Sequence, residues 1–61
     1  MPIVQIDLIE GRTVEQKREL VKRVTEAISE TAACPTSAVT IIMRDMPKEN
    51  LGQGGKLRAD Q

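Results

Sequence analysis

From Ile3 to Ile9 apolar and polar residues alternate, with Val4, Ile6 and Leu8 on one face and Gln5 and Asp7 on the other. A period of two predicts a half-buried strand. "EGRT" then interrupts the pattern: Gly11 supplies a turn, and Thr13 with Gln16 three residues on has the spacing of a capping box opening a helix. From Val14 to Ala32 the period changes to helical. Leu20, Val21, Val24, Ala27, Ile28 and Thr31 share one face, while Glu15, Lys17, Arg18, Lys22, Arg23, Glu26 and Glu30 lie mostly away from it. Pro35 disfavours the helical region for Cys34 and ends the helix nearby. "AVTIIMR", Ala38 to Arg44, is rich in β-branched residues and predicts a second strand.

Strand, helix, strand is a βαβ unit, with parallel strands and a right-handed crossover. The remainder, "DMPKENLGQGGKLRADQ", is turn-rich. Gly52, Gly54 and Gly55 predict a tight hairpin or an extended arm, and the polar stretch over residues 58–61 predicts a disordered tail. The predicted fold class is α+β: a single βαβ protomer with a C-terminal glycine-rich hairpin or arm, one domain over residues 1–61.

Composition makes this unit insufficient on its own. A chain of 61 residues buries only about 60% of its unfolded surface, and this one has no Phe, Tyr or Trp with which to enlarge a core. Cys34 is the only cysteine and histidine is absent, which excludes an internal disulfide and leaves no recognisable zinc cluster. Among the usual supports for a small domain, oligomerisation remains. A two-stranded sheet also has two open edges, which proteins tend to pair or protect. Pairing of the first strands across a twofold gives a dimer with a four-stranded sheet and two helices on one face. Its other face stays open to further assembly.

Nine basic residues balance nine acidic ones, with no block of like charge to track phosphates, so nucleic acid is not an expected partner. No apolar run reaches membrane length, and the first residues are too polar and too few for a targeting segment. The expectation is a soluble protein of the reducing cytoplasm with no membrane partner.

Chemistry concentrates at two positions. Pro2 either caps the first strand or, once Met1 is removed, presents a secondary amine as the chain terminus. An α-amino group titrates near about 7.7–8.0, and an apolar pocket near cations lowers that value into the range where a general base works at neutral pH. Without histidine, this is the best-placed base in the chain. Arg12, just ahead of the helix, is either a solvated loop residue or part of an anion site beside the free helix N–H groups. Seven steps of about 3.3 Å separate Pro2 from Ile9, about 23 Å in all, so Arg12 reaches Pro2 only from a second subunit whose first strand runs antiparallel. "GQGGKL" lacks the spacing of a phosphate loop. Lys48, Lys56, Asp45 and Glu49 read as solvated charge, Met43 and Met46 as interface packing, and Cys34 as a small apolar residue.

"PIVQIDLIEGRTVEQKRELVKRVTEAIS" closely resembles the N-terminal half of 4-oxalocrotonate tautomerase and its small relatives, and "GQGGK" resembles their glycine arm. The resemblance implies dimers assembled into a hexamer, a trimer of dimers, and a cofactor-free, metal-free keto-enol tautomerase whose N-terminal proline is the general base. It implies the base role for Pro2, carboxylate binding for Arg12 and ligand contact at the backbone of Ile9. The substrate it implies is a small carboxylated enol such as 2-hydroxymuconate. Two positions depart from the family. Thr40 stands where better-known members carry a second arginine, and Leu51 where they carry an aromatic. Arg44 shares the strand face of Thr40 but lies about 13 Å along it, so it substitutes only from another subunit. Gln53 cannot serve as the carboxylate base of related dehalogenases and hydratases. Three readings follow: a homo-oligomeric tautomerase, one subunit type of a hetero-hexamer, or a non-catalytic oligomeric homologue.

Overall fold

A computed structural model describes every residue from Met1 to Gln61. Strand β1 (Ile3–Ile9), helix α1 (Val14–Ala32) and strand β2 (Thr40–Met46) form the main unit, followed by two short strands, β3 (Gly52–Gln53) and β4 (Lys56–Leu57). β1 and β2 run parallel, from Ile3 opposite Thr40 to Ile9 opposite Met46. β3 and β4 pair antiparallel as a separate ladder.

Local chemistry sets the boundaries. The Gln16 N–H donates to the Thr13 hydroxyl at 3.1 Å and the Thr13 N–H to Gln16 Oε1 at 2.9 Å, a reciprocal capping box. At the other end Ala33 takes a left-handed conformation at φ 53°, and Ser29 closes the turn. Its carbonyl accepts from Cys34 N–H at 3.2 Å, and its hydroxyl donates to the Cys34 carbonyl. β2 begins at Thr40, two residues later than the predicted Ala38, and ends at Met46 rather than Arg44. The delay is a 3₁₀ turn over Thr36–Ala38, in which the Ala38 N–H donates to the Pro35 carbonyl at 3.0 Å instead of to a ladder. Pro47, with no N–H to give, ends the strand.

Alternation places Val4, Ile6 and Leu8 of β1 and Ile41 and Met43 of β2 toward α1. Leu20, Val21, Val24 and Ile28 meet them half-buried, whereas Ala27 and Thr31, expected on the same stripe, are exposed. Two strands cover only a narrow band of the helix, and Thr25 and Ser29 flank that band instead. Asp45 falls on the helix side and pairs with Lys17, so it is more than the solvated charge its sequence context suggests.

The opposite sheet face has no cover. Ile3 is 63% and Ile42 39% exposed, and not one residue of the chain is buried. The accessible surface is 4730 Å², against about 3,900 Å² for a compact monomer of this mass. The radius of gyration is 14.6 Å, against about 10.5 Å for a compact chain of this length. One protomer therefore has a sheet layer and a helix layer but no closed core.

Candidate active site

The end of β1 is held in place before any functional side chain is considered. The Glu10 N–H donates to the Met46 carbonyl at 2.8 Å, carrying the parallel ladder one step beyond Ile9. Gly11 then turns the chain at φ 123°, a conformation that L side chains rarely adopt, although nothing lies within 4 Å of where a Cβ would sit. The constraint is therefore conformational rather than steric. It delivers Arg12 to the helix entrance, where a guanidinium Nη donates to the Ile9 carbonyl at 2.9 Å. One edge of the guanidinium is thereby fixed and its other N–H groups remain free.

A second segment reaches the same place. After Pro47 a 3₁₀ turn over Lys48–Asn50 leads to Leu51, and positive φ at Gly54 and Gly55 folds β4 back along β3. The returning chain donates Arg58 N–H to the Leu51 carbonyl at 2.8 Å. Arg58 then opens another 3₁₀ turn, Arg58–Asp60, in the polar stretch for which the sequence predicts a disordered tail. The outcome is an open cavity of about 450 Å³ lined by Ile9, Glu10, Arg12, Lys48, Arg58 and Gln61.

The predicted site residues divide into two groups. Ile9, Arg12 and Leu51 gather at this end of the protomer. Pro2 and Thr40 lie at the other, where the Thr40 N–H donates to the Pro2 carbonyl at 3.0 Å. Arg44 sits between them, opposite Asp7 in the ladder and 4.0 Å from its carboxylate. Lys48 and Arg58 join the cavity although their sequence surroundings mark neither as functional. The signal for Lys48 is the parallel register that sets the end of β2 beside Ile9, and for Arg58 the fold-back at the paired glycines; both need three-dimensional structure to be read. No three His, Cys, Asp or Glu side chains converge as a metal site, and no helix is long and apolar enough to cross a membrane.

A family model described as tautomerase enzyme matches residues 2–61. The chain belongs to the 4-oxalocrotonate tautomerase family. It is 50% identical over 58 residues to a probable tautomerase of Lactococcus lactis subsp. lactis, covering 95% of each chain. With the 2-hydroxymuconate tautomerase of Stutzerimonas stutzeri it shares 46% identity over 56 residues, covering 92% of this chain and 89% of that one. The heterohexamer 4-oxalocrotonate tautomerase from Chloroflexus aurantiacus superposes with a TM-score of 0.94 at 30% identity, over 98% of this chain and 97% of that one. Membership in this tautomerase family makes the chain a member of a group of isomerases with a small α+β fold.

Proposed function

We propose that the protein is a cofactor-free keto-enol tautomerase acting on an unsaturated 2-hydroxy carboxylate, with the Pro2 nitrogen as general base. The observation that carries this reading is the family match from residue 2 onward in a chain whose second residue is proline. The small second residue favours removal of Met1, which would free the ring nitrogen. The amine then takes the proton from the dienol 2-hydroxyl, the electron pair moves through the conjugated system, and the protonated proline returns the proton to a distal carbon. Atoms balance, since the product is an isomer of the substrate.

The working site forms between subunits. About 23 Å of β1 separates Pro2 from the cavity at Ile9, but the outer edge of β1 is unpaired within the chain. Antiparallel pairing of two β1 edges brings one protomer's Arg12 toward its partner's Pro2, and the uncovered sheet faces then bring dimers together as a hexamer. Arg12 holds the substrate carboxylate and stabilises the enolate charge that develops as the proton leaves.

Intact mass of the purified protein and a ketonisation assay on 2-hydroxymuconate test this. We expect loss of Met1 and at least a roughly hundredfold lower kcat/KM in Pro2→Ala, the low end of what a positioned general base contributes. Activity should rise with pH through the amine pKa, because only the unprotonated nitrogen accepts the proton. Retained Met1, or a processed Pro2→Ala protein as active as the parent, overturns the assignment.

Thr40 favours a second reading. Lacking an arginine there, the chain fits one subunit type of a hetero-hexamer whose partner supplies that group. Native mass spectrometry of the protein from its own cells separates one subunit mass from two.

A further inference from the structure

Of the five arginines, Arg18, Arg23 and Arg44 pair with Glu15, Glu19 and Asp7. Arg12 and Arg58 have no carboxylate within 4.0 Å, and both line the same cavity. Lys48 lines it too and is likewise unpaired, so three cationic side chains face one acidic side chain, Glu10. Elsewhere the chain pairs its arginines; here it collects cations and leaves them free. Solvent screens the repulsion among such exposed cations, and an anion that enters between them is attracted by all three.

We propose that Lys48 and Arg58 form a second carboxylate grip beside Arg12, which suits the site to dicarboxylated rather than monocarboxylated enols. The proposal rests on the tautomerase reading and adds the residues that select the substrate. Two features of the geometry support it. The Ile9 carbonyl fixes the Arg12 guanidinium, and Arg58 is tied by its backbone N–H to Leu51, so both cations project from anchored positions. A cavity of about 450 Å³ also has room for a six-carbon diacid with its carboxylates on different cations. The grip that Thr40 does not provide is thereby supplied from the loop after β2 and from the returning arm.

The test compares 2-hydroxymuconate with a monocarboxylic 2-hydroxydienoate at low ionic strength, where exposed charges are least screened. We expect Lys48→Gln and Arg58→Gln each to lower the dicarboxylate to monocarboxylate ratio of kcat/KM by roughly tenfold, the size of a lost charge-assisted hydrogen bond. Arg58→Lys should keep most of the preference, and Lys22→Gln, which removes an unpaired cation on the helix, should keep all of it. The Arg58 backbone bond survives each substitution, and size-exclusion chromatography checks that assembly does too. An unchanged ratio, or equal losses on both substrates, overturns the proposal. A separate arm needs no catalysis: calorimetry with adipate and hexanoate. Tighter binding of adipate that disappears in the Lys48→Gln/Arg58→Gln double variant supports the grip even if no enol is turned over, whereas equal binding of the two acids overturns it. Absence of turnover with intact adipate selectivity would instead refute the tautomerase reading and leave the grip standing.

Discussion

Arg12 stands where a cation is electrostatically misplaced, immediately before a helix N-terminus whose dipole favours negative charge. The Ile9 carbonyl at 2.9 Å and the turn at Gly11 hold it there nonetheless. On the proposed function, the substrate carboxylate that Arg12 binds offsets this cost. Arg12→Ala is expected to lower kcat/KM for carboxylated enols by about ten- to a hundredfold, the range for a charge-assisted hydrogen bond, with a smaller effect on an enol lacking carboxylate. Steady-state kinetics on both substrates checks this, and equal effects would remove Arg12 from substrate binding. Thr40 makes the complementary point. Its backbone joins Pro2, but its hydroxyl cannot replace a guanidinium's paired donors and charge.

α1 is held mainly by its ends and one narrow stripe. Removing the Thr13 hydroxyl leaves the Gln16 N–H without its partner, so Thr13→Ala should lower stability by about 1 kcal/mol per protomer, measurable by urea denaturation. An unaltered midpoint would show that the cap contributes nothing in the assembly. Among surface pairs, the Arg23 hydrogen bond at 2.7 Å, reinforced by its charge, holds the Glu19 carboxyl below its ordinary pKa. A lowered folded-state pKa means that this contribution is present at neutral pH and disappears as acid protonates Glu19. Glu19→Gln should therefore narrow the stability difference between neutral and acid pH, and the effect should shrink in high salt because both side chains are exposed.

For the whole molecule, a protomer with no buried residue and with Ile3 and Ile42 exposed on its uncovered sheet face fits the proposed role of one subunit in a larger assembly. Stability should depend on concentration, since assembly binds the folded form and not the unfolded one. The melting temperature is expected to rise with protein concentration. Ile42→Asp, which places a charge on the open face, should shift the protein to smaller, inactive species in analytical ultracentrifugation. A concentration-independent melt with a persistently monomeric species would contradict the assembly.

The sequence by itself determined the local structure. Alternation at Ile3–Ile9, the Thr13 and Gln16 pair and the stop at Pro35 are short-range patterns, and β1 and α1 appear where these place them. β2 was less legible because a 3₁₀ turn and a strand start compete over Thr36–Val39, and hydrogen-bond closure rather than β-propensity decides between them. Ala27 and Thr31 are exposed for a related reason: periodicity marks a face, but the width of the sheet decides how much of that face is covered. Pro2 and Arg12 are legible through the resemblance carried by the "PIVQI" and "EGRT" stretches, since each taken alone also fits a strand cap or a solvated loop residue. Lys48 and Arg58 are not, being ten residues apart on a polar segment with nothing local to distinguish them from solvated charge. Only the tertiary structure brings them to Arg12: the parallel register sets Lys48, just past Met46, beside the end of β1, and left-handed turns at Gly54 and Gly55 fold Arg58 back to it.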